Sequence, residues 1–207
     1  IAHYGWGESM FLKEVWPKAK LSLYCEFFYN KFNQDVNFDP EFASKSVGEV
    51  PRLILKNLNN LTHFQYADCG ISPTKWQAST YPTQFKEKIS VIHDGIDTSI
   101  LVPNNKSILY INNKIKITKN DDVITFVNRN LEPYRGYHIF MRSLPDILKS
   151  RPNANVLIIG GDKVSYGLKS KNNQSWKNIY LNEIRSQLTE EEFSRIFYLG
   201  NIGYSDF

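Results

Sequence analysis

Two arginines stand six residues apart where an apolar, strand-like run gives way to a helical pattern, in residues 123–140, VITFVNRNLEPYRGYHIF. A guanidinium stays charged at every physiological pH and matches the geometry of phosphate oxygens. Ligands of parallel α/β sheets bind beyond the carboxyl ends of the strands, where a following helix presents free N–H groups and a positive dipole end. Arg129 and Arg135 are therefore predicted to bind a diphosphate. Asn128 and a helix beginning near Gly136 are expected to line the same site.

A second glycine-bearing segment follows a predicted strand at the same edge. Its residues are Gly160, Gly161 and Asp162, and the glycines would let a nucleotide or sugar approach the backbone closely. The spacing lacks the G-x-G-x-x-G pattern, so NAD binding is not predicted. Tyr166 lies on the following loop, where it would reach the ligand or lie in solvent. The simplest alternative to phosphate binding is an ion pair between one of the arginines and Glu132.

The elements that must position these residues alternate along the chain. Continuous apolar runs are typical of strands buried on both faces of a parallel sheet, and they lie at 20–29, where a buried helix is the alternative, and at 155–161 and 196–200. Residues 88–97 fit a strand that runs into a turn. Helical spacing of apolar residues occurs at 49–69, 137–151 and 175–187. This alternation predicts an α/β fold with parallel sheets, in two units joined around residues 98–106.

Local motifs refine this prediction at three places. Ser72 followed by Pro73 fits the start of a helix. Thr189 with Glu192 fits a capping box. Residues 107–117 fit a hairpin that turns at two asparagines.

Composition narrows the class of protein. The chain has 207 residues, of which 42% are apolar and 22% charged, and its net charge is +4, which is typical of a globular protein. No apolar run approaches the roughly 20 residues of a membrane span, and no leader is visible, which favours a cytoplasmic location. Lysines are scattered rather than clustered, so we expect no nucleic-acid partner. Cys25 and Cys69 are expected to be reduced thiols, and no metal site is predicted.

The two ends of the sequence interrupt its pattern. The chain begins without Met, at IAH, which resembles the end of a strand. It stops soon after the strand-like run at 196–200. We therefore expect an internal fragment of a longer protein.

Several stretches together resemble family 4 glycosyltransferases, the retaining enzymes of GT-B fold, and a bacterial subgroup in particular. FVNRNLEPYRGYHIFMRSLP (126–145) is similar to the start of their donor-binding domain. The other similar stretches, in order, are HYGWGESMFLKEVWP (3–17), ADCGISPTKWQ (67–77), ISVIHDGID (89–97) and VLIIGGDKVSYG (156–167). The resemblance covers nearly the whole chain except residues 103–120.

The resemblance implies parts of two Rossmann-like, doubly wound parallel-sheet domains. Residues 1–102 would be the C-terminal part of the N-terminal, acceptor-side domain, and residues 103–207 the N-terminal part of the nucleotide-sugar donor domain. Arg129 and Arg135 would hold the donor diphosphate, although the second position is more commonly Lys in the family. The family's paired glutamates would lie after Phe207.

The resemblance also implies roles in the first loop. A His or acid there lies near the reacting sugar in similar enzymes, which makes His3 a candidate catalytic residue; a structural His bonded to backbone is the alternative. Gly5 and Gly7 would admit a ligand or form an ordinary turn. Glu8 would accept from a sugar hydroxyl or begin a helix.

The implied reaction moves a sugar from a nucleotide diphosphate sugar to a hydroxyl acceptor with retention, in polysaccharide or glycolipid synthesis. No cofactor is required beyond the nucleotide sugar as co-substrate. The acceptor would be a saccharide or a lipid-linked intermediate, which leaves open a peripheral contact at the inner membrane face. Two alternatives stay open: a GT-B nucleotide-sugar epimerase, and a non-catalytic binding module for phosphorylated ligands.

Overall fold

The protein is described here by a computed structural model covering residues 1–203 except 6, 8, 32–33, 35, 44–45, 113, 166 and 171–173. It has a mixed α/β fold with parallel sheets, as predicted. The chain divides into two compact units, Ile1–Leu101 and Val102–Phe207. The acceptor-side and donor-side roles expected for the two segments stay predictions.

The first unit contains a four-stranded, wholly parallel sheet in the order β1-β2-β3-β4. Its strands are short: β1 Ala2–His3, β2 Ser22–Tyr24, β3 Cys69–Ser72 and β4 Ile89–Val91. Its helices are α1 Leu12–Val15, α2 Glu49–Lys56, α3 Leu58–Tyr66, α4 Lys75–Ser79 and α5 Thr83–Lys86. The core is built from Tyr4, Leu21, Leu23, Cys25, Phe28, Phe64, Ala67 and Tyr81.

The apolar run at 20–29 is a strand only over its first half. The Cys25 N–H still donates to the Ile71 carbonyl of β3, and beyond it the chain leaves the ladder, although Phe28 stays buried. Side chains replace the lost ladder bonds. At Tyr29 the side chain is that of Asn57, which accepts from the Tyr29 N–H at 3.0 Å and donates to the Tyr29 carbonyl at 2.7 Å. A buried apolar run is thus compatible with irregular backbone when a side-chain amide satisfies its polar groups.

Two helix predictions in this unit need correction. The single helix expected at 49–69 is two helices, because α2 ends at Asn57 and α3 begins directly after it. Ser72 does not cap a helix: it closes β3, and its hydroxyl donates to the Cys25 carbonyl at 2.9 Å. Thr74 caps α4 instead, accepting from the Gln77 N–H at 3.1 Å.

The second unit contains a hairpin and a three-stranded parallel sheet. The hairpin is formed by β5 Ile108–Ile111 and β6 Ile115–Thr118, and the sheet has the order β7-β8-β9. The sheet strands are β7 Val123–Asn130, β8 Asn155–Gly161 and β9 Ile196–Gly200. The helices are α6 Tyr137–Ser150, α7 Trp176–Arg185 and α8 Glu190–Ser194, and a single 3₁₀ turn spans Pro133–Arg135.

Most of this unit follows the sequence pattern. The predicted strands at 155–161 and 196–200 are confirmed, as is the capping box of Thr189 and Glu192. The hairpin packs Ile111 and Ile117 against Leu157 of the sheet. Helix α6 buries Tyr137, His138, Met141, Leu144 and Leu148. None of the helices in the described ranges is long and apolar enough to cross a membrane.

Candidate functional site

The polar residues at the carboxyl end of β7 differ in burial because side chains alternate between the two faces of a strand. Asn130 is buried, its neighbour Arg129 is exposed, and Asn128 is half-buried. The Asn128 amide donates to the Arg135 carbonyl at 3.4 Å, which ties the strand end to the 3₁₀ turn. Within the described part of the chain, the guanidinium of Arg129 makes no hydrogen bond or ion pair, so it is available to an anion.

Glu132 is a fully buried carboxylate in the turn between β7 and α6. Its oxygens accept from the Ser165 hydroxyl at 2.7 Å, from the Ser165 N–H at 3.2 Å and from the Gly167 N–H at 3.0 Å. Asn130 supports the same loop, because its amide donates to the Ser165 hydroxyl at 2.9 Å. Glu132 therefore fastens the loop after β8 to the turn that carries Arg135.

The start of α6 offers fewer free amides than the sequence suggested. Helix α6 begins at Tyr137, and Gly136 precedes it with a φ of 76°. The N–H groups of Arg135 and Tyr137 donate to the Glu132 carbonyl, and that of Gly136 donates to the Pro133 carbonyl. The 3₁₀ turn thus satisfies the amides nearest the strand end, while the helix dipole still directs positive potential toward this edge.

A cleft of about 520 Å³ opens at this edge. Arg129 and Lys163 bring two cationic side chains to it, and Asn128, Asn130 and Asn201 contribute amides. Val127, Ile159 and Ile202 complete the lining. The cleft therefore combines positive charge with hydrogen-bonding amides, a set suited to a phosphate-bearing ligand. Arg135 lies on the adjoining turn and is not part of this lining.

The two glycines at the end of β8 are required by protein packing. A Cβ on Gly160 would lie 2.7 Å from the Asn128 carbonyl oxygen. A Cβ on Gly161 would lie 2.6 Å from the Asn130 Oδ1 and 3.0 Å from the Asn201 Nδ2. The predicted approach of a ligand to these glycines stays a prediction. Asp162 follows them and is exposed.

Two of the predicted site residues, Glu8 and Tyr166, lie outside the described residues. Gly7 has a φ of 86°, a conformation that disfavours side chains. Its N–H donates to the Tyr4 carbonyl at 3.0 Å, so a turn is the observed role.

His3 ends β1 and is held at both ring nitrogens. Its Nδ1 accepts from the Gly5 N–H at 3.0 Å, and its Nε2 lies 3.1 Å from the Glu26 Oε2. A Cβ on Gly5 would lie 2.6 Å from the His3 Cε1, so glycine is needed for the ring to sit there. His3 is thus bonded both to backbone and to an acid.

Tyr24 and Asp94 form a second polar pair at the same edge. The Tyr24 hydroxyl lies 2.9 Å from both carboxylate oxygens of Asp94. Partial burial, the hydrogen bond to Asp94 and the charges of Asp94 and Glu26 together raise the pKa of Tyr24 to about 12. The phenol therefore stays protonated and acts as a donor. The Tyr24 ring centroid is 6.0 Å from that of His3.

Sequence reasoning did not identify Glu26 or Tyr24. Both stand in the apolar run 20–29, whose pattern predicts a buried strand or helix and no binding residue. The useful signal was Glu26, because a charge just past the end of a buried parallel strand lies at the ligand-binding edge.

Comparisons with known proteins bear on the first unit. Residues 1–101 match the family model described as the glycosyl transferase family 4 group. The match supports a glycosyltransferase-type domain in that unit. No curated protein matches the chain by sequence.

One solved structure similar to the chain is the Glycosylation Associate Protein (Gap123) complex from Streptococcus agalactiae. The sequence identity is 16% and the TM-score is 0.43. The alignment covers 99% of this chain and 34% of that one. The chain therefore spans about a third of that protein's length.

Proposed function

We propose that the protein transfers a sugar from a nucleotide diphosphate sugar to a hydroxyl acceptor with retention of configuration, in polysaccharide or glycolipid synthesis. The family match over residues 1–101 supports the transferase class. The observation that carries the donor assignment is the exposed Arg129 at the carboxyl end of β7, beside Lys163 in a 520 Å³ cleft.

The chemistry requires charge stabilisation on the leaving nucleoside diphosphate. Arg129 and Lys163 would contact its phosphate oxygens from the cleft, and Arg135 would do so from the adjoining turn. The N-terminal end of α6 adds positive potential. Loss of one such contact typically costs on the order of 10²–10³ in rate, by analogy with oxyanion sites. The proposal needs no cofactor or metal, because these groups supply the positive charge.

The acceptor side of the proposal is the carboxyl edge of the first unit's sheet. His3 stands there next to Gly5 and Glu26 and would lie near the reacting sugar. The acceptor would be a saccharide or a lipid-linked saccharide, and in the second case the protein would contact the inner membrane face peripherally.

The proposal predicts that both arginines contribute to nucleotide binding. Titration calorimetry with UDP and with GDP should show that Arg129→Ala and Arg135→Ala each weaken binding roughly 10- to 100-fold, since hydrogen bonds to charged groups contribute about 1.5–3 kcal/mol. Arg151→Ala is the matched control, because Arg151 pairs with Asp122 at the opposite edge of the sheet. Unchanged affinity in both folded variants would remove the donor assignment.

Two further readouts separate the alternatives. A binding module for phosphorylated ligands would bind tripolyphosphate as well as the nucleotide. An epimerase would convert a nucleotide sugar offered without acceptor into its epimer.

A further inference from the structure

We propose that Glu26 binds a hydroxyl of the saccharide acceptor and that His3 is the positioning residue that holds it. The inference rests on the proposed function, since it names the acceptor contact of that reaction. It starts from the two hydrogen bonds of the His3 ring.

The tautomer of the neutral His3 ring follows from its neighbours. The Gly5 N–H can only donate, so the His3 Nδ1 at 3.0 Å must accept and carries no proton. A neutral imidazole then has its proton on Nε2. That nitrogen lies 3.1 Å from the Glu26 Oε2, so the ring donates to the carboxylate.

Both nitrogens of His3 are therefore occupied. The Nδ1 lone pair accepts from the Gly5 N–H and the Nε2–H donates to Glu26, so the neutral ring has no lone pair to offer a substrate. His3 in this arrangement is suited to orienting a neighbour, not to exchanging a proton with substrate.

Glu26 has the capacity that His3 lacks. A carboxylate offers about four lone-pair sites on two oxygens, and among the described residues only His3 occupies one of them. The Glu26 side chain is 57% exposed. A hydroxyl that donates to an ionised carboxylate makes a short, strong hydrogen bond.

The charge of this edge selects the class of ligand. Asp94 adds a second carboxylate, held by the Tyr24 hydroxyl, and the rings of Tyr24 and His3 are 6.0 Å apart. Two carboxylates disfavour a diphosphate by like-charge repulsion. A neutral polyhydroxyl compound, which brings several donors, fits this edge.

Ligand-observed NMR with methyl β-D-glucopyranoside, methyl β-D-galactopyranoside and N-acetylglucosamine tests the inference on the full chain. Binding of at least one of them should weaken roughly tenfold or more in Glu26→Ala. Glu26→Gln should retain part of the affinity, because its amide oxygen still accepts from His3. Glu87→Ala is the matched control, since Glu87 is an exposed acid just before β4, at the opposite edge of the sheet.

Gly5→Ala tests the positioning role without removing either group. Its Cβ would displace the His3 ring, so the imidazole ¹⁵N shifts should move away from those of the Nε2–H tautomer and glycoside binding should weaken. Glu26→Gln should leave that tautomer in place. A merely structural His3 would change stability in Gly5→Ala but not glycoside affinity.

The inference is overturned if no glycoside binds the wild-type chain, or if Glu26→Ala binds it as well as Glu87→Ala does. UDP titrations of the same variants distinguish failure of the Glu26 inference from failure of the proposed function. UDP binding that depends on Arg129, with glycoside binding indifferent to Glu26, would overturn only the inference. Glycoside binding that depends on Glu26, without UDP binding, would overturn only the donor assignment.

Discussion

Arg129 and Asn130 are neighbours in the sequence with opposite environments. Strand alternation exposes the guanidinium of Arg129 and buries the amide of Asn130 against Ser165. The buried amide fixes the loop after β8, and the exposed guanidinium faces the cleft. Asn130 is thus placed to stabilise the loop, and Arg129 is placed to contact a ligand.

Lys163 is expected to contribute less to nucleotide binding than the arginines. It is exposed at the rim of the cleft, where one lysine is a solvated point charge. Lys163→Ala should weaken UDP binding by about 1 kcal/mol, a factor of roughly five, and the difference should shrink as salt is added. Calorimetry at two ionic strengths checks this. Lys149→Ala, on the exposed face near the end of α6, is the control; an equal loss there would show a nonspecific charge effect.

Part of the residue-level site could be predicted from the sequence. Arg129 could be predicted because its residue type and its place at the end of a strand can both be read from the sequence. The partners of Glu132 were not, since they lie 33 and 35 residues away on another loop. Glu26 could not be predicted for a similar reason, because its contact with His3 joins residues that are 23 positions apart in the sequence.

At the scale of elements, Asp68 links the loop between α3 and β3 to α1 and to the residue just before β2. Its carboxylate accepts from the Lys13 ammonium at 2.7 Å and from the Leu21 N–H at 2.8 Å. These two contacts, the lysine bond foremost, hold the pKa of Asp68 down to about 2. The carboxylate thereby links the residues after α3 to the chain just before β2.

This link predicts a pH dependence of stability. Because the folded-state pKa is lowered, the stabilisation is present above the ordinary Asp value of about 3.9 and is lost as the pH falls toward 2. Asp68→Asn should therefore be less stable than wild type at pH 6, and the difference should narrow between about pH 4 and pH 2. Urea unfolding across this range checks it. Lys13→Met removes the main cause of the shift, so a wild-type pH profile in that variant would contradict the account.

Element boundaries were harder to predict than element types. The apolar spacing at 49–69 continues through Asn57, so nothing in the pattern reveals the break between α2 and α3. The break arises from tertiary structure, because the Asn57 side chain bonds the backbone of Tyr29. The strand at 155–161 was predictable to the residue, since its apolar run ends at glycines that the neighbouring side chains require.

At the scale of the whole molecule, the chain consists of two compact units. Each has its own parallel sheet and its own core. Alternating strand and helix patterns made this α/β organisation predictable, because parallel strands need crossover helices and both repeat along the sequence. The hairpin β5–β6 was also predictable from its turn residues, whereas its packing on Leu157 was not.

Because each unit has its own sheet and core, a mutation that destabilises one unit need not lower the amide protection of the other. Glu132→Gln sets an amide N–H₂ against the donors of Ser165 and Gly167, which should cost about 1–3 kcal/mol. Amide hydrogen exchange should rise in α6, β8 and the loop around Ser165, and stay unchanged in β1–β4. Ser165→Ala removes the hydroxyl that donates to Glu132 and accepts from Asn130 but keeps the backbone donors of Ser165 and Gly167, so it should show a smaller effect in the same place. Loss of protection in both sheets would contradict the division into two units.

The central claim is that the carboxyl edge of the second sheet binds a nucleoside diphosphate. An amide NMR titration of the wild-type chain with UDP and with GDP tests it most directly, because it reports both whether and where the ligand binds. Saturable shifts are expected at Asn128, Arg129, Lys163 and Asn201 for at least one of the two nucleotides. Shifts confined to the opposite edge, near Asp122 and Asn155, or no shifts with either nucleotide, would contradict it.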